Sequence, residues 1–172
     1  MSTTSSLHQR SADPSSASRS NRLPFATALF LTALIAGTLD AIGATTSYLL
    51  RGHTHPENIW KGVASGAFGP AALTGGTEMV ICGLFFHYFI AFMCTLVFFL
   101  AYPRIPALAR YKYIAGILYA LIVWVVTNLV IVKLSRIPKS PFHLQGVLIG
   151  MGILVLAIGL PISLLAYRWL RR

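Results

Sequence analysis

The sequence predicts an all-α membrane protein, an antiparallel bundle of four transmembrane helices with a short amphipathic interfacial helix in the first external loop. Three observations carry that prediction. Of the 172 residues, 56% are hydrophobic and only 10% charged, more apolar side chain than the surface of a water-soluble domain of this size accommodates. Four apolar runs reach about 20 residues or more, the length that crosses a hydrocarbon core about 30 Å thick at a rise of about 1.5 Å per residue. The basic residues gather at the ends of those runs instead of on one soluble face, so the formal charge of +10 does not indicate nucleic acid, and the lipid bilayer is the expected partner.

Residues 1–23 hold eight serines and no apolar periodicity, which predicts a disordered tail ahead of a transmembrane domain over residues 24–172. The first span is expected over residues 24–50. Its approach through Arg22, with small residues near Ala36, raises a cleavable signal peptide; the apolar stretch continues past Asp40 to Leu50, which favours an uncleaved anchor. Further spans are expected over residues 79–101, 113–132 and 144–166. With both termini cytoplasmic, nine span-flanking cations lie inside (Arg10, Arg19, Arg22, Arg104, Arg110, Lys112, Arg168, Arg171, Arg172) against five outside, the orientation that retention of Lys and Arg in the cytoplasm favours.

The loop after the first span is the most informative segment outside the spans. Thr54 and Glu57 match a capping box, and Ile59, Trp60, Val63, Ala64, Ala67 and Phe68 recur at helical spacing, so a short helix is expected over about residues 55–68, ended by Gly69-Pro70. It is too short to cross the bilayer. The expectation is a helix at the outer interface anchored by Trp60, or a lid on the bundle; glycines 66, 69, 75 and 76 keep a re-entrant hairpin as the alternative. Thr74 and Glu78 offer a cap and a first-turn acid for the second span. The remaining loops are short and contain Pro103, Pro106, Pro138 and Pro141, which makes successive helices antiparallel neighbours.

Asp40 is the only acid deep within a span, a placement that costs about 2.5 to 3.5 kcal/mol unless the carboxyl faces protein or water. Ala33, Gly37, Asp40, Ala44 and Ser47 share one helical face, and Gly83, His87, Ala91 and Cys94 share another, each small enough for close helix approach. Asp40 lies about 16 Å below Arg51 and His87 about 13 Å below Glu78, so on antiparallel neighbours the carboxyl and the imidazole form an intramembrane polar pair at one level. Asn128, Thr127, Gln145 and Thr45 add polar groups in the same half of the bilayer and are the expected pocket lining. Two readings stand side by side. One is an outward-facing polar pocket with a proton-sensitive pair; the other is a buried structural pair that fixes helix register.

His53, His55 and Glu57 carry ligand types suited to a divalent metal, although solvated loop histidines are the commoner outcome for such spacing. Cys82 and Cys94 sit roughly 18 Å apart along one helix, too far for a disulfide, and read as packing residues. Gly146-x-x-x-Gly150 permits close helix crossing within the bundle, with a homo-oligomer contact as the alternative, and Pro161 is expected to bend the last turns. Nucleophile-elbow, Walker and zincin patterns do not occur, so neither a soluble-type catalytic mechanism nor a cofactor is expected.

Ala36-Gly37-Thr38-Leu39-Asp40, Phe86 to Phe92 (FHYFIAF) and Leu134-Ser135-Arg136-Ile137-Pro138-Lys139 resemble a family of small uncharacterised bacterial inner-membrane proteins, the YagU-like proteins. The resemblance covers about residues 24–167 and implies four spans in a bacterial cytoplasmic membrane but no substrate. The function expected from the residues is a small proton-linked transport or channel-like protein, and the alternative is a non-transporting accessory or assembly protein.

Overall fold

The computed structural model describes residues 23–131 and 144–170, and within them every regular element is helical. Helix α1 spans Phe25–Leu50, α2 Glu57–Phe68, α3 Thr77–Ala101, α4 Pro106–Arg110, α5 Lys112–Val125 and α6 Leu144–Leu170. A 3₁₀ segment, Gly69–Thr74, joins α2 to α3, and α5 continues as a π-type segment over Val126–Ile131. Three helices, α1, α3 and α6, are long and apolar enough to cross a membrane, at 26, 25 and 27 residues; α5 is a shorter apolar helix. The expected tail falls almost wholly outside the described residues, as do the loop from Lys133 to His143, the end of the third run at Val132, and the C-terminal arginines.

Helix α1 is the centre of the assembly. Ala28, Leu29, Thr32, Ala33, Ala36 and Gly37 are buried on it at steps of three and four, one stripe of mostly small side chains. It packs antiparallel to α3: Phe25 meets Phe99 with ring centroids 6.0 Å apart, and further along Gly37 lies against Tyr88 and Ala91. It packs antiparallel to α6 as well, through Gly43 against Ile153. Helix α5 pairs with α6 and stands away from α1, touching α3 where Phe98 and Tyr119 stack edge to face at 4.9 Å.

The dry core sits at one end of this arrangement, where α1 begins and α3 and α6 finish. It comprises Ala28, Leu29, Ala36, Phe98, Phe99, Tyr102, Ile158, Ile162 and Ala166. Three buried hydroxyls beside it bond main chain. Thr32 and Thr95 donate to the carbonyls of Ala28 and Ala91 one turn back, and Ser163 donates across to the Lys112 carbonyl at 2.7 Å. Toward the other end, where α1 finishes, the helices separate and leave clefts.

Backbone contact replaces side-chain packing at two places. Gly116 on α5 and Gly159 on α6 touch main chain to main chain, so a methyl group on either would overlap the other's carbonyl. Gly159 closes a π-type segment, Val155–Gly159, two residues before Pro161. Proline lacks the N–H that would bond the carbonyl four residues earlier, and the hydrogen-bond ladder re-registers around the gap. Gly150 of the expected crossing motif Gly146-x-x-x-Gly150 has nothing within 4 Å, as has Gly152, and it borders a cleft; the close approach is made about two and a half turns later at Gly159. A Gly116→Val protein is accordingly expected to lose about 1 to 3 kcal/mol, checked by thermal melting in detergent beside Gly152→Val, which should be near neutral.

Candidate functional site

Asp40 lines a cleft of about 360 Å³ between α1, α2 and α6. Asp40, Ala44, Ser47 and Arg51 form its α1 wall at steps of four, three and four residues, so one helical face runs from the deep carboxyl to a guanidinium at the rim. Ile59 of α2 covers part of the mouth, and Gly150, Ile153 and Leu154 of α6 close the far side. Arg51 is exposed and donates from Nη2 to Ser47 Oγ at 3.0 Å. The predicted face splits by neighbour: Ala33 and Gly37 lie buried against other helices, while Asp40, Ala44 and Ser47 look into the cleft.

His87 stands at the same level as Asp40, within its electrostatic reach, but the two make no ion pair. The imidazole instead donates from Nε2 to the Gly37 carbonyl oxygen at 2.9 Å, one turn before the acid. The indirect arrangement has a geometric cause. Gly37 lacks a side chain, so α3 comes close enough there for the imidazole to reach main chain before it reaches a carboxyl that turns toward the cleft. The charge on Asp40 is also within reach of Cys94 on α3. One step further, the Tyr119 hydroxyl donates to the Cys94 carbonyl and carries the polar contacts across to α5.

Helix α2 packs against α3. Gly83, six residues and about 9 Å into α3, contacts the main-chain carbonyl of Trp60 directly. The Trp60 ring is half-buried edge-on to His87, with centroids 5.3 Å apart, and packs against the imidazole. Further along, Phe68 packs near Phe86 at 6.2 Å. The expected capping box does not form: the helix starts at Glu57, with no side-chain cap, because Glu57 accepts from His55 Nδ1 at 2.9 Å. Glu78, in the first turn of α3, accepts from the Gly76 amide just ahead of the helix at 2.7 Å, while Thr74 donates back to the Ala71 carbonyl.

The other expected lining residues are dispersed. Asn128 is exposed and donates to the Trp124 carbonyl of its own helix at 2.9 Å, and Thr127 beside it lines none of the clefts named here; α5 pairs with α6. Thr45 lies five residues beyond Asp40, about 140° round the helix, and borders a separate shallow groove with Thr38, Ala41, Ile42 and Thr46. Gln145 borders a third groove, described below. Residues that sequence reasoning did not assign to the site are Ser47, Tyr48, Arg51, Ile59 and Gly150; the four-three-four spacing from Asp40 to Arg51 was the available signal.

His53 and His55 diverge. His53 stacks on Tyr48 with centroids 4.4 Å apart, while His55 bonds Glu57, and among the described residues no group of three potential metal ligands comes together. The exposed Glu57 carboxyl is held below the usual carboxylate range by its own main-chain amide and by the His55 hydrogen bond, with His55 and Lys61 charges adding. A carboxyl lowered on folding contributes stability above its unfolded pKa and loses it as pH falls through the folded value. Hydrogen exchange of the first turn of α2, corrected for intrinsic rates, should therefore rise as pH drops through the acid range, and Glu57→Gln should remove that rise.

No protein-family model, no curated protein and no solved structure matches this chain.

Proposed function

We propose that this chain is a four-span integral membrane protein of the bacterial inner membrane, of the YagU-like kind, with both termini cytoplasmic, and that it acts as a small proton-linked transport or channel-like protein. The observation that carries the reading is the place of Asp40. An acid deep in an apolar helix lines an open cleft of about 360 Å³ at the loop end instead of being packed dry. A buried polar contact between membrane helices contributes only about 0.6 kcal/mol on average, so stability alone is a weak reason to keep a carboxyl there. The π-type continuation of α5 to Ile131 supports a fourth crossing. The dry core at the opposite end supplies the barrier that a cleft open on one side requires.

The accessory-protein reading is favoured for one residue. His87 is engaged by the Gly37 carbonyl and the Trp60 ring, the setting of a group that holds α1, α2 and α3 in register. His87 is therefore a positioning residue in this proposal, and Asp40 is the proton-accepting one. The test is dissipation of an imposed pH gradient by protein in liposomes. Wild type is expected to exceed Asp40→Asn by about tenfold or more, the variant falling to the rate of empty vesicles. Equal rates for wild type, Asp40→Asn and empty vesicles would leave only the accessory role.

A further inference from the structure

The contact of Gly43 with Ile153 divides the α1/α6 boundary into two grooves that share Ser47 and Arg51 at their head. One is the Asp40 cleft. The other, about 530 Å³, differs in chemistry: its rim carries Arg51, Thr46 and Gln145, and its floor is formed by Gly43, Ile149 and Ile153. Its sides are open to the surroundings, with Leu50 83% and Ile149 37% exposed.

Arg51 forms no ion pair with a described acid. The chain has few candidates, four acids in all, and those outside the tail are committed: Glu57 to His55, Glu78 to the Gly76 amide, and Asp40 lies about 16 Å down the helix. Among the described residues the guanidinium's one hydrogen bond is from Nη2 to Ser47, so donors remain toward the groove. An uncompensated planar cation above an apolar trough, flanked by an amide and a hydroxyl, is complementary to a molecule with an anionic phosphate head and a hydrocarbon chain.

We propose that this groove is a binding site for one anionic phospholipid, with its phosphate on Arg51 beside Gln145 and Thr46, and one acyl chain along Gly43, Ile149 and Ile153. Gly43 lets Ile153 seat directly on α1 at the base of the trough, and Gly150 and Gly152 on α6 leave the neighbouring surface free of side chains. The lipid would wedge the separated ends of α1 and α6 and hold the adjoining Asp40 cleft open. The site stands whether or not Asp40 carries protons.

Native mass spectrometry of the full-length protein in detergent, titrated with phosphatidylglycerol, tests it. Wild type is expected to retain one lipid preferentially, and phosphatidylcholine is expected to bind at least about fivefold more weakly. Arg51→Gln should abolish the preference, Arg51→Lys should restore part of it, and Ile149→Trp should lose the lipid by filling the trough with the cation intact. Arg104→Gln, at the opposite end, should change nothing. Retention equal in wild type, Arg51→Gln and Ile149→Trp, or an equal loss in Arg104→Gln, would reduce the lipid to a non-specific annulus and overturn the site. Inorganic phosphate that displaces the lipid at millimolar concentration would assign Arg51 to a free anion and overturn it too. Should Ile149→Trp fail to fold, as read by its melting transition, the Arg51→Gln and Arg51→Lys pair decides alone.

Discussion

A Gly83→Val protein is expected to lose the seat of α2 and to melt roughly 5 °C or more below wild type. The position leaves no room for adjustment by rotamer, because the atom that a Cβ would strike is the Trp60 carbonyl, which belongs to main chain held in a helix. Relief requires α2 to move as a body. That movement withdraws the Trp60 ring from His87 and Phe68 from Phe86, so one substitution undoes several contacts together. Inserting bulk into a close-packed contact costs about 1 to 3 kcal/mol, and this site belongs at the top of that range. Thermal melting in detergent, with Gly152→Val as a control where the space is open, reads the difference; matching melting temperatures for the two variants would refute the close approach of α2.

The second large effect is expected at His87. Alanine there leaves the Gly37 carbonyl without its cross-helix donor and removes the ring that Trp60 packs against, a combined loss of about 1 to 3 kcal/mol. Glutamine retains an N–H of similar reach and should restore part of the stability. Because the imidazole bonds main chain and not the carboxyl, flux per folded molecule should change by less than about twofold in His87→Gln. The same assay should find Asp40→Asn inactive. Flux abolished by His87→Gln at normal stability would place the imidazole in the proton path and not in the frame.

Helical faces were the most legible feature of the sequence. The run Ala33, Gly37, Asp40, Ala44, Ser47 does mark the packed and cleft-lining side of α1, and Gly83, His87 and Ala91 do meet α1 and α2, because small residues at steps of three and four say where backbones approach. Helix starts, the loop helix's included, were legible to within about two residues, whereas the last helix runs to Leu170, four residues past its expected end. What one-dimensional spacing does not carry is which helix stands next to which. Asn128 and Thr127 were at a plausible depth, yet α5 pairs with α6 and keeps them from Asp40. Partner choice inside a local motif was equally illegible. Glu57 had Thr54's amide and His55 within reach, and a charge-assisted bond to the imidazole prevailed over the cap. For α2 an interfacial helix and a lid on the bundle stayed open together, because an amphipathic stripe reports one buried face without saying whether lipid headgroups or a neighbouring helix cover it.

The account depends most on Asp40 facing an aqueous cleft, and side-chain accessibility measures that directly. In a background with Cys82 and Cys94 replaced by alanine, Asp40→Cys and Leu39→Cys are each exposed to a membrane-impermeant charged thiol reagent from either side of sealed vesicles. Leu39 is 42% exposed on the apolar surface of the same turn and serves as the lipid-facing reference. The cysteine at position 40 is predicted to react from the side of the loop that joins α1 to α2, and the one at position 39 from neither. Silence at position 40 from both sides, or equal labelling of the two, would contradict the cleft and with it the role given to Asp40.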